Sequence, residues 1–553
     1  MHPIQHAKTR PDHPAVIMAG SGETITYGQL DGAANRLAHW FRSQGLQAGD
    51  AVAVLMENSP RYYEVYWAAQ RSGIILVPVS THLTASEVAY ILEDSDARLL
   101  VTTPLFGPLV AQMQADGMAL PMLTYGAKSG EGSDSSAENL LAAYPHAQIA
   151  DQSAGRLMLY SSGTTGRPKG IVPAPPADPA VEAGTPLMML AVHGFHFPND
   201  GSSMYLSPAP LYHAAPLGWS TTVHRLGGTV VVMEKFDPEG ALAAIEKYRI
   251  TESQWVPTHF VRLLKLPEEV RARYDLSSHQ HAIHAAAPCP IPVKQAMLDW
   301  WGPIIWEYYA GSEGNGMTMV SGADWLTHPG TVGRAILGTI HICDDAEDGD
   351  GAEVAAGEEG VIYFESPHPF AYHKDDAKTA EATHPLGWTT LGDIGRVDEE
   401  GFLYLTDRRS NMIISGGVNI YPQEIENLLL GHPKVMDAAV IGAPDAEMGE
   451  CVVAVVQPVD LEHAGEMLAA ELREFLATKL AKLKLPRLFD FRAELPREAN
   501  GKLYKRKLKE EYQAESISSA SDAAMAGDAS KTGAKPKAKP VPKSGEPADL
   551  TAK

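Results

Sequence analysis

Ten residues of the chain, SSGTTGRPKG at 161–170, crowd three glycines, four hydroxyl side chains, an arginine and a lysine together. Glycines let backbone N–H groups turn toward an anion, and hydroxyls and a lysine add donors and charge. The apolar run LMLY (157–160) leads in and GIV (170–172) leads out, so the segment reads as a loop displayed at a strand end. It is not the G-x-x-x-x-G-K-[ST] loop of the common NTPases. Gly166 is followed by Arg167 and Pro168 before Lys169, and Gly170 stands where that loop has a hydroxyl. The expected chemistry is phosphate binding. The competing reading is an ordinary Gly/Ser-rich surface loop.

Four further stretches carry side chains that could act with it. LSPAPLYHAAPLGW (206–219) sets His213 among apolar residues, where a lone histidine by itself reads as packed core. EYYAGSEGNG (307–316) follows HAAAPCP (284–290) and holds Tyr309, Ser312 and Glu313 near glycines. GWTTLGDIGRVDEEGFLYLTDRRSNMIISGGVNIYPQEIE (387–426) holds Asp393 and Arg408, then the SGG of 415–417, which also reads as a plain turn. LPREANGKLYKRKL (495–508) holds Lys502, which read alone belongs to a solvated basic face.

The elements around these stretches alternate helix and strand. Thr26 and Gln29 have capping-box spacing, Leu30, Ala33, Leu37 and Phe41 follow at helical intervals, and Gly45 is a stop. Thr84 and Glu87 repeat the capping signal over 83–94. Apolar runs at 51–56, 74–80 and 97–103 read as strands, and strands alternating with helices imply crossovers and a parallel sheet. The pattern resumes with a strand over 227–238, a helix over 238–250, an apolar segment at 252–257 and a helix over 291–302. Near residue 408 the polar TDRRSN (406–411) interrupts, and a helix begins near Pro422 and ends at Gly431 and Pro433. The expected domains are 1–408, a small one at 409–513, and a disordered Ala/Ser/Lys/Pro-rich tail at 514–553 that lacks aromatic residues.

Composition bounds the function classes. The 553 residues are 44% hydrophobic and 20% charged, as in a globular protein with several cores. A net charge of −23 argues against non-specific nucleic-acid binding, so an anionic substrate needs a locally basic site. Three scattered cysteines make no disulfide framework, and the N-terminus has no long apolar run; a cytoplasmic location without signal peptide or integral membrane segment is expected.

Taken in order, the five stretches resemble the motifs of the adenylate-forming (AMP-binding) superfamily, in its branch of acyl-CoA synthetases for fatty or bulky acids. The resemblance covers about residues 10–512. It implies an α/β fold: a large N-terminal domain of stacked mixed sheets with packed helices, and a small mobile α+β C-terminal domain. It implies that Ser161, Ser162, Gly163, Thr164, Thr165, Gly166 and Lys169 bind the phosphates of ATP. Tyr309 would stack on adenine, Ser312 would contact the α-phosphate, Asp393 would accept from the ribose hydroxyls, and Arg408 would lie on the ribose and phosphate side. Glu313 would hold Mg²⁺, an ion that takes one or two protein carboxylates and prefers oxygen. His213 would stand at the wall of the acyl pocket, Lys502 would be the catalytic lysine, and Gly416 and Gly417 would face the thioester-forming site. Ala310 and Ser312 depart mildly from the Y-G-x-T-E pattern, and Ser410 stands where the hinge usually carries Asp or Lys.

The activity so implied is two-step. A carboxylic acid attacks the α-phosphorus of MgATP, giving an acyl-adenylate and pyrophosphate, and coenzyme A then displaces AMP to give a thioester. The walls at 214–219 and 284–287 are mostly small and apolar, which favours a medium-to-large hydrophobic or aromatic acid. The segment 173–205 either caps that pocket or is a surface insertion. The partners are the acid, ATP and coenzyme A, with no nucleic acid; the chain acts alone or as a homodimer. The alternatives are loading of a carrier-protein pantetheine, a luciferase-type oxygenase, and a nucleotide-binding pseudoenzyme.

Overall fold

The two capping boxes form as read. Thr26 and Thr84 start the helices Tyr27–Ser43 and Ala85–Asp94, each side chain accepting from the third helical N–H while Gln29 or Glu87 accepts from the cap's own N–H. The computed structural model describes residues 2–126, 136–161, 168–176, 178–344, 351–367, 370–445, 448–497 and 503–513. The expectations for Ser162, Gly163, Thr164, Thr165, Gly166, Lys502 and the tail 514–553 lie outside the described residues, as does the side chain of Ser161.

Among the described residues the strands form four sheets, and the architecture is the expected α/β one. One sheet is parallel throughout, with Ala51–Leu55 at its centre between Ile75–Pro78 and Ala97–Thr102. The largest has thirteen strands. Its parallel part runs through Thr229–Val232, Met204–Ser207, Glu252–Trp255, His281–His284 and Ile305–Ala310. It then turns antiparallel and ends in a subsheet that includes Thr389–Val397 and Leu403–Arg408. The helices Tyr27–Ser43, Pro60–Arg71 and Ala214–Leu226 share one core cluster with both sheets, in which Trp67, Trp219, Tyr62 and Tyr205 are buried. The C-terminal α+β domain has its own core, formed by Pro422–Leu430 and Glu466–Ala477 on a five-stranded sheet.

Two expectations change. The strand read over 227–238 is only Thr229–Val232. Its continuation leaves the ladder because the Glu234 carboxylate accepts from the N–H groups of Gly20 and Ser21, both at 2.9 Å, and Asp237 caps the helix Pro238–Tyr248. The segment 173–205 is not simply a surface insertion. Residues 174–176 are exposed, but Pro186–His193 is a helix packed near Ala214–Leu226, and Phe195 and Phe197 are buried against Trp219.

Candidate active site

The C-terminal ends of parallel strands are where open α/β sheets bind ligands, because the connecting loops diverge there. A cleft of about 2090 Å³ opens at this edge and extends to the small domain. Lys169, His213, Tyr309, Ser312, Glu313, Asp393 and Arg408 all line it, although they come from positions more than two hundred residues apart. Gly416 and Gly417 do not line it. Their φ values of 57° and 79° make the tight turn between the paired strands Ile413–Ser415 and Val418–Ile420.

Asp393 is the best-connected of these groups. It lies on Thr389–Val397, paired in register with Arg408 on the adjacent strand. Tyr309 donates its hydroxyl hydrogen to Asp393 Oδ2 at 2.7 Å, and Arg408 Nε donates to Oδ1 at 3.0 Å. A carboxylate has about four acceptor sites on its two oxygens, so two sites remain for other donors. The Asp393 carboxylate raises the Arg408 pKa, and burial, with Asp393 adding to it, raises that of Tyr309 well above the usual phenol range. Arg408 stays a cation and Tyr309 stays a donor.

A second group faces it. Tyr372 donates to Glu313 Oε1 at 3.3 Å, and Lys169 Nζ lies 4.8 Å from the centre of the Tyr372 ring. Burial lowers the Lys169 pKa, with Lys378 adding to the effect. The backbone holds Lys169 there: Lys169–Ile171 pairs antiparallel with Leu159–Ser161, Ile171 bridges Tyr372, and His373 N–H donates to Gly170 C=O at 2.8 Å. His213 is the N-cap residue of Ala214–Leu226, and its ring centre is 4.3 Å from that of Tyr212. Among the described residues no group of three or more His, Cys, Asp or Glu side chains could hold a metal ion. Glu313 suits Mg²⁺, an ion that usually takes one or two protein carboxylates and completes its shell with phosphate and water oxygens.

The sequence model of the AMP-binding enzyme family matches residues 4–371, and that of the AMP-binding enzyme C-terminal domain matches residues 424–502. The chain belongs to the AMP-binding enzyme family. This AMP-binding enzyme is 33% identical over 521 residues to the fatty acid–[acyl-carrier-protein] ligase ScoC of Streptomyces coeruleorubidus, with 92% of this chain and 96% of that one covered. It is 32% identical over 514 residues to a feruloyl-CoA synthase of an Amycolatopsis species, covering 92% and 98%. Its fold matches ATP-bound MatB from Rhodopseudomonas palustris with a TM-score of 0.75 at 29% identity, covering 93% and 99%. The AMP-binding enzyme is thus of the AMP-forming acid–thiol ligase family, whose substrates are ATP and a carboxylic acid. No helix among its described residues is long and apolar enough to cross a membrane.

Two site residues of this AMP-binding enzyme escape sequence reasoning. Tyr372 sits in FAYHKDD (370–376), which carries no motif; the bridge to Ile171 and the bond from His373 N–H to Gly170 C=O bring it to Glu313. Asp407, buried beside Arg408, accepts from Arg408 N–H at 2.6 Å, Asn411 Nδ2 at 3.1 Å and Gln423 N–H at 2.8 Å. Its carboxylate thereby caps Pro422–Leu430, a helix whose own N-cap residue, Tyr421, makes no capping bond. The Asp preceding an Arg was readable as polar; its bond sixteen residues downstream was not.

Proposed function

We propose that the chain is an acyl-CoA ligase for a medium-to-large hydrophobic or aromatic acid, using MgATP and coenzyme A. The observation that carries the reading is the pairing of Asp393 with Tyr309 and Arg408 in one cleft with Glu313, Lys169 and the apolar wall that begins at His213. Anion-binding, hydroxyl-binding and apolar surfaces are what a reaction between a nucleotide and a hydrophobic carboxylate requires.

In the first step the acid's carboxylate attacks the α-phosphorus, and pyrophosphate leaves. The work of the protein is positioning and charge stabilisation. Asp393 takes the ribose hydroxyls on its two remaining acceptor sites, with Tyr309 placed beside the base. Ser312 and Lys169, with 161–166, take phosphate oxygens. Glu313 would hold Mg²⁺, which would supply positive charge against the phosphates and so offset the acidity of the protein. Lys502 bridges the carboxylate and the α-phosphate. The residues on either side of it, Arg497 and Leu503, pair with each other and line the same cleft.

In the second step the small domain, 409–513, rotates about 408–410 against 1–408. Lys502 leaves, Gly416 and Gly417 enter, and the thiol of coenzyme A attacks the acyl carbonyl. Transfer to a carrier-protein pantetheine is the second reading, favoured by the likeness to an acyl-carrier-protein ligase. Pyrophosphate release from MgATP across acetate, fatty, aryl and steroid carboxylates, with and without coenzyme A, tests both. Acid-dependent release accelerated by coenzyme A is expected. Release that free coenzyme A does not accelerate replaces the first reading with the second.

A further inference from the structure

The acyl end of the cleft holds a polar group that its apolar walls leave unanswered. Gln254, on Glu252–Trp255, lines the cleft and is 1% exposed. Its Nε2 donates to the carbonyl of Trp255 at 3.0 Å, which fixes the amide orientation because a carbonyl oxygen can only accept. Its Oε1 accepts no hydrogen bond from any described residue. A buried acceptor left unpaired costs free energy, so such atoms are uncommon and call for a partner.

The place of Gln254 in the sheet says what the partner is attached to. Gln254 pairs in register with Ile283, and both turn toward the core that holds Trp219, Tyr308 and Ala285. Trp255, the next residue, belongs to the core on the opposite face. Val256 and Ala285, two residues further on, are the first beyond the ends of these strands and line the cleft, so Gln254 is roughly 7 Å deeper. Across from it the wall is stiff. Trp219 Nε1 donates to the Tyr308 hydroxyl at 3.2 Å, and Phe195 meets Trp219 edge-on at 5.2 Å between ring centres. That depth suits one aromatic ring with a substituent at its far end.

We propose that Gln254 Oε1 accepts a hydrogen bond from a hydroxyl or amino group at the distal end of a compact, ring-sized acid, and so sets the substrate class. The proposal rests on the ligase reading and narrows it: the acid is amphipathic, apolar along its length and a donor at its tip. A site built around a buried acceptor rejects the analogue without the donor, because the acceptor is then buried unpaired.

The test is AMP formation by the full chain with MgATP, coenzyme A and two matched pairs: 4-hydroxybenzoate against benzoate, and 4-hydroxycinnamate against cinnamate. Octanoate and hexadecanoate serve as donor-free chains. The expected result is a preference of roughly 10- to 100-fold in kcat/KM for the hydroxylated member of at least one pair. Gln254→Leu should collapse that ratio by raising KM for the hydroxylated acid far more than for benzoate or cinnamate. The wild-type ratio stands even if the variant folds poorly. Ratios near one in both pairs, or a preference that survives in Gln254→Leu, overturn the proposal. Turnover of octanoate or hexadecanoate alone overturns it and leaves the ligase reading standing; no AMP from any acid overturns both.

Discussion

Tyr309 and Asp393, eighty-four residues apart, share a 2.7 Å hydrogen bond that ties the centre of the large sheet to its antiparallel subsheet. Together with Arg408 it presets the carboxylate proposed to meet the nucleotide.

Removing that hydroxyl should loosen ATP without unfolding the protein. A hydrogen bond to a charged group is worth about 1.5–3 kcal/mol, so Tyr309→Phe is expected to raise KM for ATP by roughly 10-fold or more. Asp393→Ala should cost more, since it also leaves Arg408 without its carboxylate partner. Steady-state kinetics with ATP varied would check both, and an unchanged KM in Asp393→Ala would contradict the assignment.

Lys502→Ala should separate the half-reactions. Adenylation should fall by on the order of 10²–10³-fold, the usual cost of losing one transition-state donor, while a supplied acyl-adenylate is still converted to thioester. Equal losses in both half-reactions would remove the lysine from its proposed role.

Asp407→Ala should weaken the junction between the domains. The side chain caps Pro422–Leu430 through Gln423 N–H, and losing such a cap costs about 1–2 kcal/mol. Limited proteolysis around 409–423 should accelerate, and the melting temperature should drop. An unaltered cleavage rate would show that the cap contributes nothing to holding the junction.

Acid should destabilise the protein, most steeply below pH 4.5. His224, His259 and His279 are buried, and desolvation pushes each down to about 3, against 6.5 when unfolded. Below 6.5 the unfolded chain binds protons that the folded chain refuses. Stability is therefore full above that pH and falls on acidification, by up to about 1.4 kcal/mol per histidine per pH unit. Glu252, pushed up by burial to about 7, opposes this from pH 7 to 4.5, because its folded form holds a proton that the unfolded form has lost. Below 4.5 the opposing slope ends and the histidine slope remains. Melting temperatures from pH 8 to 4 should decline with downward curvature; a flat profile would mean that these imidazoles take protons without unfolding.

What the sequence discloses follows from the range of the interactions. Thr26 with Gln29 and Thr84 with Glu87 act within one turn, so their spacing alone announces the helices. The motif residues Lys169, Tyr309, Glu313, Asp393 and Arg408 were readable by type and order, and they meet in one cleft. Tyr372, Asp407 and Gln254 were not: the partner of Tyr372 lies fifty-nine residues away, Asp407 caps a helix in the next domain, and Gln254 Oε1 has no partner among the described residues. The strand overrun at 227–238 has the same origin: the bonds of Glu234 to Gly20 and Ser21 reach over two hundred residues back and override the local pattern.

The central claim is that one cleft joins an acid to a thiol at the expense of ATP. The most direct measurement is mass-spectrometric product analysis after incubation with MgATP, coenzyme A and a pooled set of aliphatic, aryl and steroid acids. The account predicts AMP and an acyl-CoA thioester in equal amounts, both strongly reduced in Asp393→Ala at ATP concentrations that saturate the parent enzyme. Formation of ADP and phosphate, or AMP without any thioester, would contradict it.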